Sequence, residues 1–147
     1  MRRQQEHNDQ KEFFNWCDLT GSLHPRCRDV LGRFFAVPNG GHRNKATAGK
    51  LKAEGVKRGI LDVFNLTRSP QADGDFYAGL ILEFKSDTGR LSDEQRDWKA
   101  HFEAQGYRVE VPRSWIEAAL ITIDYFGWPE ELKKNLPLHR LERPKAK

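Results

Sequence analysis

Apolar residues recur with changing period along the chain, and each change of period marks the edge of an element. From Gln4 to Trp16 the pattern is helical but polar, with Phe13, Phe14 and Trp16 supplying an apolar end. DLTGSLHPRC is rich in turn formers and predicts a break, with a short helical turn from Arg26 to Leu31. RFFAVPNGG reads as a strand closed by Pro38 and by Asn39-Gly40-Gly41, residues that accept positive φ. A helix follows from Asn44 to Glu54, stopped at Gly55. GILDVFNLT and DFYAGLILEFK are strands joined as a hairpin by the polar loop RSPQADGD. Ser92 caps the next helix and Gly106 stops it; Gln95 occupies the position of a reciprocal capping partner. YRVEV is a fourth strand, and SWIEAALITIDYF a helix that starts at Ser114 with Glu117 as its own capping partner. That last helix is nearly all apolar, so it packs on the sheet or on a second subunit. Pro129 opens a short final helix, and HRLERPKAK is a frayed basic tail. The order α-β-α-β-β-α-β-α predicts an α/β fold, a mixed four-stranded sheet flanked by helices on both faces.

Two charges interrupt the most apolar strand. Side chains of a strand alternate faces, so Leu80, Leu82 and Phe84 share one face and Ile81, Glu83 and Lys85 the other. A hairpin centred between Ala72 and Asp73 sets Asp62 opposite Glu83, and directly opposed residues lie roughly 5 Å apart. Buried charges need a partner, an ion or a solvent-filled cleft. Asp62, Glu83 and Lys85 therefore form a candidate site.

The 147 residues and 17.1 kDa suit a single domain, 1–147. Mean hydropathy is −0.79, and no apolar run approaches the roughly 18 residues of a membrane span. MRRQQEHNDQKE has no apolar stretch after its arginines, so no secretory signal is expected and a cytoplasmic location follows. Cys17 and Cys27 are expected as free thiols. With His24 between them their spacing is too irregular for a zinc cluster, so core and turn roles are the better reading.

Charge is uneven. Residues 1–60 hold 12 Lys and Arg against 6 Asp and Glu, and from Arg43 to Arg58 six cations face only Glu54. Such a patch can be a solvated helix face, but beside a carboxylate site it points to the phosphates of nucleic acid. His42, Arg43, Asn44 and Lys45 follow a glycine turn and precede a helix, which makes them candidates for phosphate contact. Lys57 and Arg58, just before the Asp62 strand, are candidates too, whereas Lys50 and Lys52 can be merely solubilising.

An Asp and a Glu on neighbouring strands make an oxygen-rich site suited to Mg²⁺ or Mn²⁺. Such an ion polarises a phosphoryl oxygen and acidifies a bound water, and a lysine on the same face can orient that water or stabilise developing charge. The alternative is an exposed strand end carrying a Glu-Lys pair.

KLKAEGVKRGILDVFNLT followed by LILEFKSDTGRLSDEQRDWKAHFEAQGYRVEV resembles the virus-type replication-repair nuclease (VRR-NUC) domain of the PD-(D/E)xK superfamily. VPNGGHR is similar to the Asn-Gly turn before that family's basic helix. The resemblance runs from about Glu6 to Phe126 and implies a restriction-endonuclease-like core over that span. It also implies metal-binding and catalytic roles for Asp62, Glu83 and Lys85, and metal ligation by the Phe84 carbonyl. Gln95 would project toward the site, which competes with its capping role. Glu6, with Gln10 four residues on, matches the family's acidic first-helix position and could reach the metal through water; a plain solvated glutamate is the other reading. The superfamily's Pro-Asp is Leu61-Asp62 here. Small stand-alone members look like phage enzymes acting on branched DNA as homodimers, so the expectation is a Mg²⁺- or Mn²⁺-dependent endonuclease cutting four-way (Holliday) junctions. The rivals are a flap or nick nuclease, a non-catalytic DNA-binding module and a structural protein. For the dimer interface two stretches stand out, the helix Ser114 to Phe126 and the Phe34-Phe35 region.

Overall fold

The β-hairpin takes the register that its sequence predicts. In a computed structural model describing residues 1–38, 44–70 and 75–141, β2 (Val63–Asn65) pairs antiparallel with β3 (Leu80–Leu82) through Val63↔Leu82, Phe64↔Ile81 and Asn65↔Leu80. Continued by one step, this ladder sets Asp62 against Glu83. The Asn-Gly-Gly turn, His42, Arg43, the hairpin apex and the tail beyond Leu141 lie outside the described residues.

The sheet has the order β1-β2-β3-β4. β1 (Phe35–Ala36) runs antiparallel to β2 at one edge, and β4 (Arg108–Glu110) runs parallel to β3 at the other. A parallel neighbour requires a crossover, here α4 (Asp93–Ala104). Its Trp98 and Phe102 pack with Leu61, Phe64, Ile81 and Val109 on one face of the sheet. The other face carries Val63, Leu80, Leu82 and Phe84 against α1 (Arg2–Leu23), α2 (Pro25–Leu31) and α5 (Trp115–Phe126). α3 (Lys45–Ala53) joins β1 to β2, and two 3₁₀ turns, Glu130–Lys133 and Leu138–Arg140, follow α5 where a short helix is predicted.

α1 departs from its predicted end. It runs through the turn-forming stretch to Leu23 and stops at His24, because Pro25 disfavours a helical residue before it. Gly21 serves packing instead of turning: a Cβ there would lie 3.3 Å from the Cα of Arg28, so its absence lets α2 approach closely. At α5, Ser114 Oγ accepts the Glu117 N–H as predicted, but Glu117 Oε2 accepts the N–H of Arg113 at 2.7 Å, one residue earlier than a capping box requires. The apolar length of α5 is used by the sheet, burying Ile116, Ala118, Ala119, Ile123 and Phe126. Cys17 and Cys27 are free, buried thiols.

The residue that ties this core to the charged strand end is Phe13. Fully buried, it lies with ring centroids 5.1 Å from Phe34 and 5.9 Å from Phe84, the residue between Glu83 and Lys85. Phe13→Ala is expected to cost about 3–5 kcal/mol, read from the urea midpoint at unchanged m-value; a loss below about 1 kcal/mol would remove Phe13 from this role.

Candidate active site

Two carboxyl groups meet where the β2–β3 ladder ends. Glu83 N–H donates to Glu110 O at 3.0 Å and Lys85 N–H to Pro112 O at 3.1 Å, so β3 continues beside β4. Backbone groups of successive strand residues face opposite neighbours, so Phe84 between them turns its own toward β2. Its N–H donates to Asp62 Oδ2 at 3.2 Å. Asp62, half-buried, thus replaces a ladder partner with its side chain, and the Phe84 carbonyl shares that edge.

Glu83 is only 1% exposed. One of its oxygens, Oε1, takes two donors: Lys85 Nζ at 3.0 Å and Gln95 Nε2 at 2.5 Å. The other, Oε2, is buried and takes no donor among the described residues. Gln95 fills both roles expected of it, since its Oε1 also accepts the Ser92 N–H at 3.0 Å in a complete capping box. The amide's two ends serve different partners, so capping aims the side chain and does not compete with the site.

Burial, then the charge of Asp62, pushes the Glu83 carboxyl up to about 8, against the pull of Lys85. Burial also raises Asp62, while the Phe84 N–H, the adjoining Glu83 carboxyl when it carries the proton, and the charge of Lys85 pull it down and Glu6 pushes it up. Two carboxyls within hydrogen-bonding reach of each other cannot both ionise cheaply. Ionising both calls for a cation beside them; without one, one of the two keeps a proton.

Glu6 comes from α1 on the opposite face. Its Oε1 accepts the Ser86 N–H at 3.0 Å, and one turn later Asp9 Oδ1 accepts the Trp115 N–H at the start of α5 at 3.1 Å. Arg113 Nη1 donates to the carbonyls of Ser86, at 2.6 Å, and Gly89. The turn after Lys85 is therefore held from both sides. Asp9, Ser86 and Arg113 escape sequence reasoning, because their partners are backbone groups that no side-chain pattern announces.

Asn44 is placed as the cap of α3, its Oδ1 accepting the Thr47 N–H at 2.7 Å. Lys45, Lys57 and Arg58 are exposed and make no hydrogen bond or ion pair to Asp62 or Glu83. They belong to a basic segment beside the carboxylates.

Among the described residues no group of three or more His, Cys, Asp or Glu forms a ready-made metal cluster. The donor set is instead Asp62, Glu83 and a backbone edge. That suits Mg²⁺ or Mn²⁺, hard ions of which Mg²⁺ keeps several waters and binds through one or two carboxylates plus substrate phosphate. The unpartnered Oε2 of Glu83 fits such an ion.

In the metal-free protein Glu83 makes stability depend on pH. Its folded pKa, about 8, lies above its ordinary 4.5, so the folded chain holds the proton more tightly than the unfolded one. The contribution is complete below about pH 4.5 and is lost as pH rises through about 8. With EDTA present, urea unfolding from about pH 5 to 8.5 should show stability falling by a few kcal/mol, a fall that Glu83→Gln largely abolishes. Equal slopes for both proteins would contradict this reading.

The VRR-NUC domain matches residues 32–115. The fold is similar to that of a solved "VRR_NUC domain protein" with 20% sequence identity and a TM-score of 0.64, covering 84% of this chain and 88% of the other. No curated protein matches the chain. No helix among the described residues is long and apolar enough to cross a membrane. With the match spanning more than half the chain and the fold agreeing, the chain belongs to the VRR-NUC domain family, a family of nuclease type whose function is DNA processing.

Proposed function

We propose that this chain is a divalent-metal-dependent DNA endonuclease that hydrolyses phosphodiester bonds in branched DNA, four-way junctions foremost, as a homodimer. The observation that carries the chemistry is the divided Glu83 carboxylate: Oε1 is fixed by Lys85 and Gln95, Oε2 takes no donor among the described residues, and the Asp62 carboxyl is close enough to raise the Glu83 pKa. Asp62, Glu83 and the Phe84 carbonyl are the groups that would hold Mg²⁺ or Mn²⁺. Bound there, the ion would polarise a phosphoryl oxygen and acidify a water.

The remaining work falls to the chain's own residues. Lys85 keeps a positive charge at the edge of the carboxylate pair, where negative charge on a phosphate develops. Gln95 holds Glu83 in one rotamer and keeps it from swinging away from Asp62. Glu6 acts on the site by fixing the Ser86 N–H and by its charge on Asp62, and a water-bridged contact to the ion is consistent with that position. Asn44, Lys45, Lys57 and Arg58 supply phosphate contacts, as do His42 and Arg43 in this reading.

Two opposed strands of a junction call for two equivalent sites, which a two-fold dimer provides. α5 is committed to the core and Phe34 is buried, whereas Phe35 on the edge strand β1 is 46% exposed. The β1 edge is therefore the favoured interface.

The test is cleavage of end-labelled four-way junction, flap and linear duplex with Mg²⁺, Mn²⁺ or EDTA. Symmetric, metal-dependent junction cutting that falls roughly 10²-fold or more in Lys85→Ala is expected. Cutting of flaps alone would keep the chemistry and move the substrate. Binding without cleavage under every metal would leave a DNA-binding module.

A further inference from the structure

We infer that the segment 44–58 is a phosphate-gripping arm, jointed beside the active site at Gly59, whose occupant is the backbone of duplex DNA flanking the cut. This rests on the nuclease reading and deepens it by assigning how the substrate is held.

The first observation is that α3 has no buried face. Every residue from Asn44 to Arg58 is exposed except Leu51, which is half-buried. Helices as short as these nine residues draw their stability from packing an apolar stripe. Apart from its Asn44 cap and Leu51, α3 has little to hold it. An interfacial membrane helix would need a broad apolar face, which one leucine does not make.

The second observation is uncompensated charge. Lys45, Lys50, Lys52, Lys57 and Arg58 make no ion pair among the described residues, although Glu54 lies among them. Other cations, such as Lys11, Arg90 and Lys134, are also unpaired among the described residues; what sets this segment apart is five exposed cations against one carboxylate within residues 44–58. Lys45 and Lys52 are seven residues apart, hence on the same face, separated by about 10.5 Å along the helix axis. A polyanion with regularly spaced charges is the complement of such a surface.

The third observation fixes the arm's base. Gly59 has φ +72°, and a Cβ there would lie 2.5 Å from Glu94 Cβ and 3.5 Å from the Gln95 nitrogen. Only a glycine fits this close approach in this conformation. The chain leaving the arm is thereby seated on the first turn of α4, at the residue before the Gln95 that holds Glu83, and Leu61 enters the core immediately after. Lys57 and Arg58 flank this joint. The joint lies three residues before Asp62.

Fluorescence anisotropy with labelled duplex and four-way junction, in EDTA to prevent cutting, measures Kd across about 50–300 mM salt. The proteins are wild type, Lys45→Gln/Lys52→Gln, Lys57→Gln/Arg58→Gln, and a control, Lys133→Gln. Each lost phosphate contact should shallow the slope of log Kd against log salt by about 0.9. Each double variant should therefore lose about 1.8 and bind more weakly at low salt, while the control keeps the wild-type slope. Slopes unchanged in both doubles, with circular dichroism showing folded proteins, would overturn the arm. If those slopes fall but no metal supports cutting by wild type, the arm stands and the nuclease reading fails. If wild type cuts and the slopes do not change, the arm alone fails.

Discussion

A buried carboxylate with only one of its two oxygens satisfied is the constraint around which this fold is arranged. Desolvating an anion costs several kcal/mol unless donors or a cation offset it. Glu83 receives Lys85 and Gln95 on one oxygen and no donor from the described residues on the other, with Asp62 close enough to raise its pKa. A purely structural core would have supplied another donor or an apolar side chain of similar volume. Leaving a buried acceptor unsatisfied is uncommon enough to call for an explanation, and a hard divalent cation is the one that suits this donor set.

The layers around the sheet each contribute to holding that arrangement. α4 covers one face and delivers Gln95 from its capped first turn. α1 covers the other face, packs Phe13 on Phe84, and uses two carboxylates one turn apart as backbone caps, Glu6 on Ser86 and Asp9 on Trp115. Arg113 closes the same turn from the far side. The site thus sits on rigid elements at the sheet's end, with the exposed basic segment outside them.

The geometry of the carboxylate pair is legible wherever it follows from strand periodicity. Alternation along β3 put Glu83 and Lys85 on one face, and the hairpin's polar centre put Asp62 opposite Glu83. The capping signature of Ser92 and Gln95 was equally local. α1 was harder to read, because Thr20, Gly21 and Ser22 carry turn propensity that tertiary packing overrides: Gly21 is used for the close approach of α2. Gln95 read as a choice between two roles because sequence cannot show that the amide's oxygen and nitrogen serve different partners. Arg113 and Asp9 bind backbone groups far away in sequence, and only the fold brings those together.

The central claim is that Asp62 and Glu83 share a place that a divalent cation can take from a proton. Calorimetric titration of Mn²⁺ into the DNA-free protein at about pH 7, repeated in buffers of different ionisation enthalpy, measures binding and proton release together. Binding accompanied by release of up to about one proton, weakened at least about tenfold by Glu83→Gln with the release largely lost, is the predicted result. Absence of binding, or binding that Glu83→Gln leaves unchanged, would contradict the account.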